Sequence, residues 1–188
     1  MNARPSRLLL ASVGVASALL DLATKAWAFE AIPEKTSHEV IGDFLVFQTH
    51  WNPHGPWSWG HGWGWLRWAL PIISLVAVFV IGKLWLESDP ADRVKGLGLV
   101  LILGGALGNL HDRVRTFLAP ETYRGVRDFI LFPNIVFGDP FPTFNLADAW
   151  ITIGVVLVAW TILFEKKPLE EAPMPGTAQA PPADRVSA

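Results

Sequence analysis

Residues Gly96–Leu118 read GLGLVLILGGALGNLHDRVRTFL: an apolar stretch long enough to cross a bilayer, turning polar at Asn109, Asp112 and Arg113. A helix needs about 20 predominantly apolar residues for such a crossing. Outward from this stretch, Leu8–Phe29, Leu66–Leu86 and Leu146–Phe164 meet the same criterion. A chain that threads back and forth gathers three polar groups at one membrane face. These are Asp21 and Lys25 late in the first span, the polar end of the third, and Asn145 and Asp148 at the start of the fourth. Ionisable side chains are costly at that depth unless they pair, line a wet cavity or do chemistry, so the cluster is the candidate functional site.

Composition agrees with a membrane protein. The 188 residues are 51% hydrophobic with a mean hydropathy of +0.34, too apolar for an ordinary soluble domain of this size. The expected fold class is an all-α integral membrane protein with four transmembrane helices and a small extramembrane β-element between the first and second spans. Residues 1–164 are expected to form one four-span domain, with spans at about 8–29, 66–86, 96–118 and 146–164 and the β-element and Trp-rich loop at about 36–65. Residues 165–188, with five prolines from Pro168 to Pro182, read as a disordered tail.

The net charge is −2 and the Lys and Arg residues are scattered, which gives nucleic-acid binding no electrostatic support. With no cysteine there is no disulfide, thiolate nucleophile or zinc–thiolate cluster. Arg4, Arg7 and Ala16-Ser17-Ala18 imitate a cleavable secretory signal, but the apolar run continues past that point and carries Asp21 and Lys25 on to Trp27. It reads as an uncleaved first span.

Arg4, Arg7, Lys83, Arg93, Lys95, Lys166 and Lys167 favour a cytoplasmic location for both termini, although Lys35, Arg67, Arg115, Arg124 and Arg127 fall on the opposite side. Thr36–Trp51 is rich in strand formers, with Gly42-Asp43 as a turn signal. The Trp51–Trp68 stretch combines tryptophans with Pro and Gly, a composition suited to the membrane surface. Gly104 and Gly108 form a small-xxx-small face that brings a neighbouring backbone near Asn109 and Asp112. Ala119–Pro142 is too irregular to be a span.

Structural explanations compete with chemistry at each polar position. Asp21 and Lys25 are four apart and suit an intrahelical ion pair near the membrane surface; Asn109 and Arg113 are likewise four apart, with Asp112 beside both. Asn145 and Asp148 fit an N-cap and the third helical position. Asp128 differs, because in Val126–Ile130 it is flanked by large apolar residues, where a carboxylate needs a partner or a reason to keep its proton. Two carboxylates brought together cannot both ionise, so one serves as acid while the other activates water. Asp128 and Asp148 would form such a pair if the connecting loop folds back onto the fourth span. The third-span cluster would then hold that loop. His50, His54 and His61 lack regular ligand spacing with Asp or Glu, and interfacial loop polarity explains them better than a metal.

Four motifs in order, Asp21-Leu22-Ala23-Thr24-Lys25, Gly104 to Arg113 (GGALGNLHDR), Val126-Arg127-Asp128-Phe129-Ile130 and Phe144-Asn145-Leu146-Ala147-Asp148, resemble the successive signatures of signal peptidase II, the bacterial lipoprotein signal peptidase family. The resemblance spans most of the chain between Asp21 and Gly154. It implies a multi-pass enzyme of the bacterial inner membrane, an aspartic endopeptidase without cofactor or metal that cuts a prolipoprotein before its diacylglyceryl-modified cysteine. Its partners would be that substrate and membrane lipid, with a monomer sufficient for the site. By motif, Asp128 and Asp148 would be the catalytic dyad. Asn109, Arg113 and Asn145 would orient substrate or loop, Asp112 would support that network, Asp21 and Lys25 would brace the site, and Gly108 and Ala147 fall within the matching motifs. The site would lie near the periplasmic face, with a small β-cradle matching Thr36–Trp51. This chain departs from the family's Asn-x-Gly-Ala-Ala-Phe-like stretch: it reads Asn52-Pro53-His54-Gly55-Pro56-Trp57, with one more residue between Asn52 and Gly55. Asn52 is expected to reach substrate, and the nearby tryptophans to meet lipid or a longer substrate segment.

Two other classes compete. A small proton or ion conductor would need polar residues through the bilayer depth, whereas here they crowd one end. An inactive lipopeptide-binding relative would explain the altered Asn52 loop, but both candidate carboxylates are present.

Overall fold

The apolar stretches become four helices: α1 (Arg7–Ala31), α2 (Leu66–Glu87), α3 (Arg93–Leu118) and α4 (Leu146–Phe164). A computed structural model describes residues 7–54, 65–134 and 140–164 of the 188. Most of the Trp-rich loop, including Gly55 and His61, and the tail from Glu165 lie outside the described residues. Each helix is long and apolar enough to cross a membrane.

The helices are apolar outside and small or polar inside. In α1 the buried residues are Gly14, Ser17, Asp21, Lys25 and Ala28, a stripe recurring every three or four positions, while Leu8, Leu9, Val15, Leu19 and Leu20 are exposed. Lipid tails solvate leucine as well as a protein core does, so such helices associate through close packing and polar contacts rather than apolar burial. α3 is the hub and packs against each of the other three. Its small residues permit close approach: a Cβ on Gly104 would lie 2.8 Å from Ser17 Cβ of α1. At the other end of the bundle, Arg7 Nη2 donates to the Ser88 carbonyl at 3.0 Å, joining the start of α1 to the end of α2.

A three-stranded antiparallel sheet lies where α1 and α3 end, in the order β1 (His38–Ile41), β2 (Leu45–Asn52), β3 (Val126–Leu131). The first two strands arise from the segment with the strand signal and turn at Gly42 with φ 48°. The third comes from Ala119–Pro142, which the sequence marks only as too irregular to be a span. The expected β-element between the first two spans is therefore completed by a strand from beyond the third. In β3 the residues Val126, Arg127, Asp128 and Phe129 are all buried, so no polar–apolar alternation advertises the strand. His50 pairs with Asp128 and Asn52 with Val126. Phe144, just before α4, bridges Ile130: each donates its N–H to the other's carbonyl, at 3.0 and 2.9 Å.

Candidate active site

The Phe144–Ile130 bridge sets the start of α4 against β3. Asn145 and Asp148 close a reciprocal capping box there: the Asn145 N–H donates to Asp148 Oδ2 at 3.3 Å, and Asp148 N–H donates to Asn145 Oδ1 at 3.1 Å. Besides capping, Asn145 Nδ2 donates to Asp128 Oδ1 at 2.6 Å and contacts Asn109 Oδ1 at 3.3 Å. Asn109 in turn donates Nδ2 to Asp148 Oδ1 at 2.9 Å. Asn52 Nδ2 donates to Asp128 Oδ2 at 3.0 Å. Amides thus hold both carboxylates, from β2, α3 and the start of α4. Burial first, and the neighbouring Asp148 charge second, push the Asp128 carboxyl up to about 7 against the opposing bonds from Asn52 and Asn145.

Beneath these two carboxyl groups lies an ionic layer. Lys25 Nζ donates to Asp21 Oδ2 at 2.7 Å and to Asn109 Oδ1 at 2.8 Å, and lies 3.5 Å from Asp112 Oδ2, with all three ionic side chains fully buried. The pair expected within α1 forms, buried in the bundle, and it reaches across to α3. Asp21 Oδ1 also accepts the Ala147 N–H at 2.9 Å, and Asp21 packs where Gly108 has no side chain. Lys25 thus links the first span to the third, and Asp21 links it to the fourth.

Two sequence expectations are corrected. Asn109 and Arg113 do not pair with each other: Asn109 serves Lys25 and the two carboxyl-bearing elements, while Arg113 Nη1 donates to Ser74 Oγ of α2 at 2.5 Å. Asp112 pairs with neither of them. It accepts the Arg127 N–H on Oδ2 at 3.1 Å and Arg127 Nε and Nη2 on Oδ1 at 3.1 and 2.8 Å. Arg127, counted in sequence as a loop charge, is therefore a buried partner, and Asn52 donates to Asp128. Sequence reasoning missed Arg127 and Ser74. Ser74 was visible as a lone hydroxyl within an apolar span; Arg127 gave no signal beyond adjacency to Asp128. Among the described residues no group of three or more His, Asp or Glu side chains could hold a metal.

Residues 13–164 match the family described as signal peptidase (SPase) II. The chain belongs to the signal peptidase II family. Curated relatives named lipoprotein signal peptidase include one from Latilactobacillus sakei, 31% identical over 78% of this chain and 88% of its own length. Another, from Mycobacterium leprae, is 33% identical over 85% of this chain and 74% of its own. A solved bacterial membrane enzyme, determined by the in meso method at 1.9 Å resolution, superposes with a TM-score of 0.67 at 29% identity, covering 85% of this chain and 94% of that one. Within signal peptidase II, this four-helix scaffold with its small sheet carries a protease rather than a conductor.

Proposed function

We propose that this chain removes the signal peptide from diacylglyceryl-modified prolipoproteins, cutting before the lipid-modified cysteine, with Asp128 and Asp148 as an aspartic dyad. One observation carries the reading: Asn145 bonds Asp128 through its side chain and Asp148 through its cap, so two carboxyl groups from separate elements meet on one residue. Like charges this close hold one proton between them. Asp128, the more deeply buried, holds it. Asp148 takes a proton from water as the water oxygen attacks the scissile carbonyl, and Asp128 gives its proton to the carbonyl oxygen. The tetrahedral gem-diol then collapses: the leaving amine takes the proton from Asp148 as the C–N bond breaks, and one hydroxyl returns its proton to Asp128 as the product carbonyl forms, with no covalent enzyme intermediate.

Asn109 and Asn145 orient the two carboxylates, Asn52 holds Asp128, and Lys25 with Asp21 and Asp112 fixes the layer below. Arg113, whose Nε has no partner among the described residues, is near enough to bear on both dyad members and serves to orient substrate. The starts of α1 and α3 face the cytoplasm. The dyad lies at the opposite, periplasmic end, where a lipid-linked cysteine sits at headgroup depth.

A gel-shift assay tests the substrate class. The protein in detergent is expected to shorten a diacylglyceryl-modified prolipoprotein and to leave the same precursor uncut when its cysteine carries no lipid; equal cleavage of both rejects the lipid requirement. The pH dependence tests the chemistry. Asp128 must hold its proton to act as acid, so kcat/KM is expected to fall as pH rises through about 7. A rate flat across the neutral range rejects the pair.

A further inference from the structure

Arg127 precedes Asp128 on β3, and the proton transfers proposed for the dyad do not employ it. Its backbone N–H and both Nε and Nη2 converge on the single carboxylate of Asp112, at 3.1, 3.1 and 2.8 Å. Asp112 belongs to α3, one helical turn beyond Asn109, whose amide holds Asp148. The strand carrying one proposed catalytic carboxyl is thereby bolted to the helix that positions the other. From the same helix, Thr116 Oγ1 adds one single bond, to the Gly125 carbonyl at 3.3 Å. A fork of three bonds to one acceptor fixes direction as well as distance, which a single bond cannot do.

We propose that Arg127 is a positioning residue that sets the spacing and angle between Asp128 and Asp148 through Asp112. The role rests on the dyad reading. It also explains why an arginine stands in a strand that is otherwise buried and apolar around Asp128. An Asp112 carboxylate left to Lys25 alone, 3.5 Å away, would hold α3 to α1 but not to β3. Misplacement of a reacting group by about 1 Å can lower a rate by about a hundredfold.

Arg127 also lines a cavity of about 290 Å³, walled by Phe29, Trp51 and Tyr123 among others. That opening makes a chemical-rescue experiment possible, because the space left by truncating Arg127 is continuous with a void that admits a small cation. The test compares R127M, R127K and R127A with wild type on the modified precursor, alongside D128N and D148N, with kcat and KM measured separately. R127M is expected to lose about ten- to a hundredfold in kcat with KM within about threefold of wild type. R127K, which keeps the charge and the backbone bond but not the fork, is expected to fall between. Millimolar methylguanidinium is expected to restore part of the kcat of R127A and to leave R127K unaffected.

Wild-type kcat in R127M, a loss that appears wholly in KM, or no response of R127A to methylguanidinium overturns the role. So does loss of R127K from the membrane together with R127M, which would make Arg127 a folding residue. The aspartate variants separate the two failures: if they are inactive while R127M is normal, only the clamp falls, whereas active aspartate variants remove the dyad on which it rests.

Discussion

Asp128→Asn and Asp148→Asn are each expected to abolish cleavage of a diacylglyceryl-modified precursor while the protein still inserts. Asparagine nearly matches aspartate in shape but can neither surrender a proton, the role proposed for Asp128, nor accept one, the role proposed for Asp148. Removing a group that transfers a proton in the transition state lowers a rate by about 10²- to 10⁴-fold, and two groups acting on one water are lost together rather than additively. The expected reading is no product above background in either variant. Retained turnover in either rejects this dyad.

Stability gives the same substitution a second signature at Asp128. Its carboxyl holds a proton up to about 7 in the folded chain against an ordinary value of 3.8. Between those limits the folded state binds the proton more tightly than the unfolded state does, so stability falls as pH rises through that window. Asp128→Asn abolishes the penalty. The variant is expected to melt at a higher temperature than wild type above the window and at about the same temperature below it. A difference that persists unchanged into acid would mean that the carboxyl is not strained by burial.

Lys25→Met is expected to be the most destabilising substitution in the bundle. Methionine fills similar space, so packing is nearly conserved. What disappears is the only cation in direct contact with Asp21 among the described residues, and one of two beside Asp112. Breaking a buried pair by deleting one partner costs about 3–5 kcal/mol, because the remaining charge has neither water nor counterion. Asn109 loses its Lys25 bond as well, so cleavage should slow in whatever protein survives. Thermal unfolding in detergent measures the first effect. The double variant Lys25→Met/Asp21→Asn should recover part of it, since the stranded charge is then gone. Equal stability of Lys25→Met and wild type would mean that water reaches this layer.

The helices were legible because length and hydropathy alone specify a membrane crossing, and the observed α4 (Leu146–Phe164) begins and ends where the apolar run does. The polar positions were legible too, since each interrupts an apolar segment. Their partners were not. Spacing of four along a helix suggested Asn109 with Arg113, but α3 is surrounded on three sides, and contacts from α1, α2 and β3 outbid the local one. β3 was hidden for a related reason: a strand buried on both faces carries no alternation, and its charged Arg127-Asp128 step looks like a loop until Asp112 and Asn145 stand opposite. Local pattern gives the elements; only tertiary proximity gives the pairs.

The Asp21–Lys25 spacing also matters before the bundle is assembled. A first helix leaving the translocon has no third or fourth helix to meet, and a lone charge late in it would oppose entry into lipid, though by less than the ~2.5–3.5 kcal/mol at a helix centre. With acid and base one turn apart at 2.7 Å, the nascent segment carries its own neutralisation and can wait in the bilayer as a helix of zero net charge along that stretch. In the folded chain the spare donors of Lys25 face Asn109 and Asp112 of α3, so the spacing that neutralises the lone helix also ties it to its neighbour.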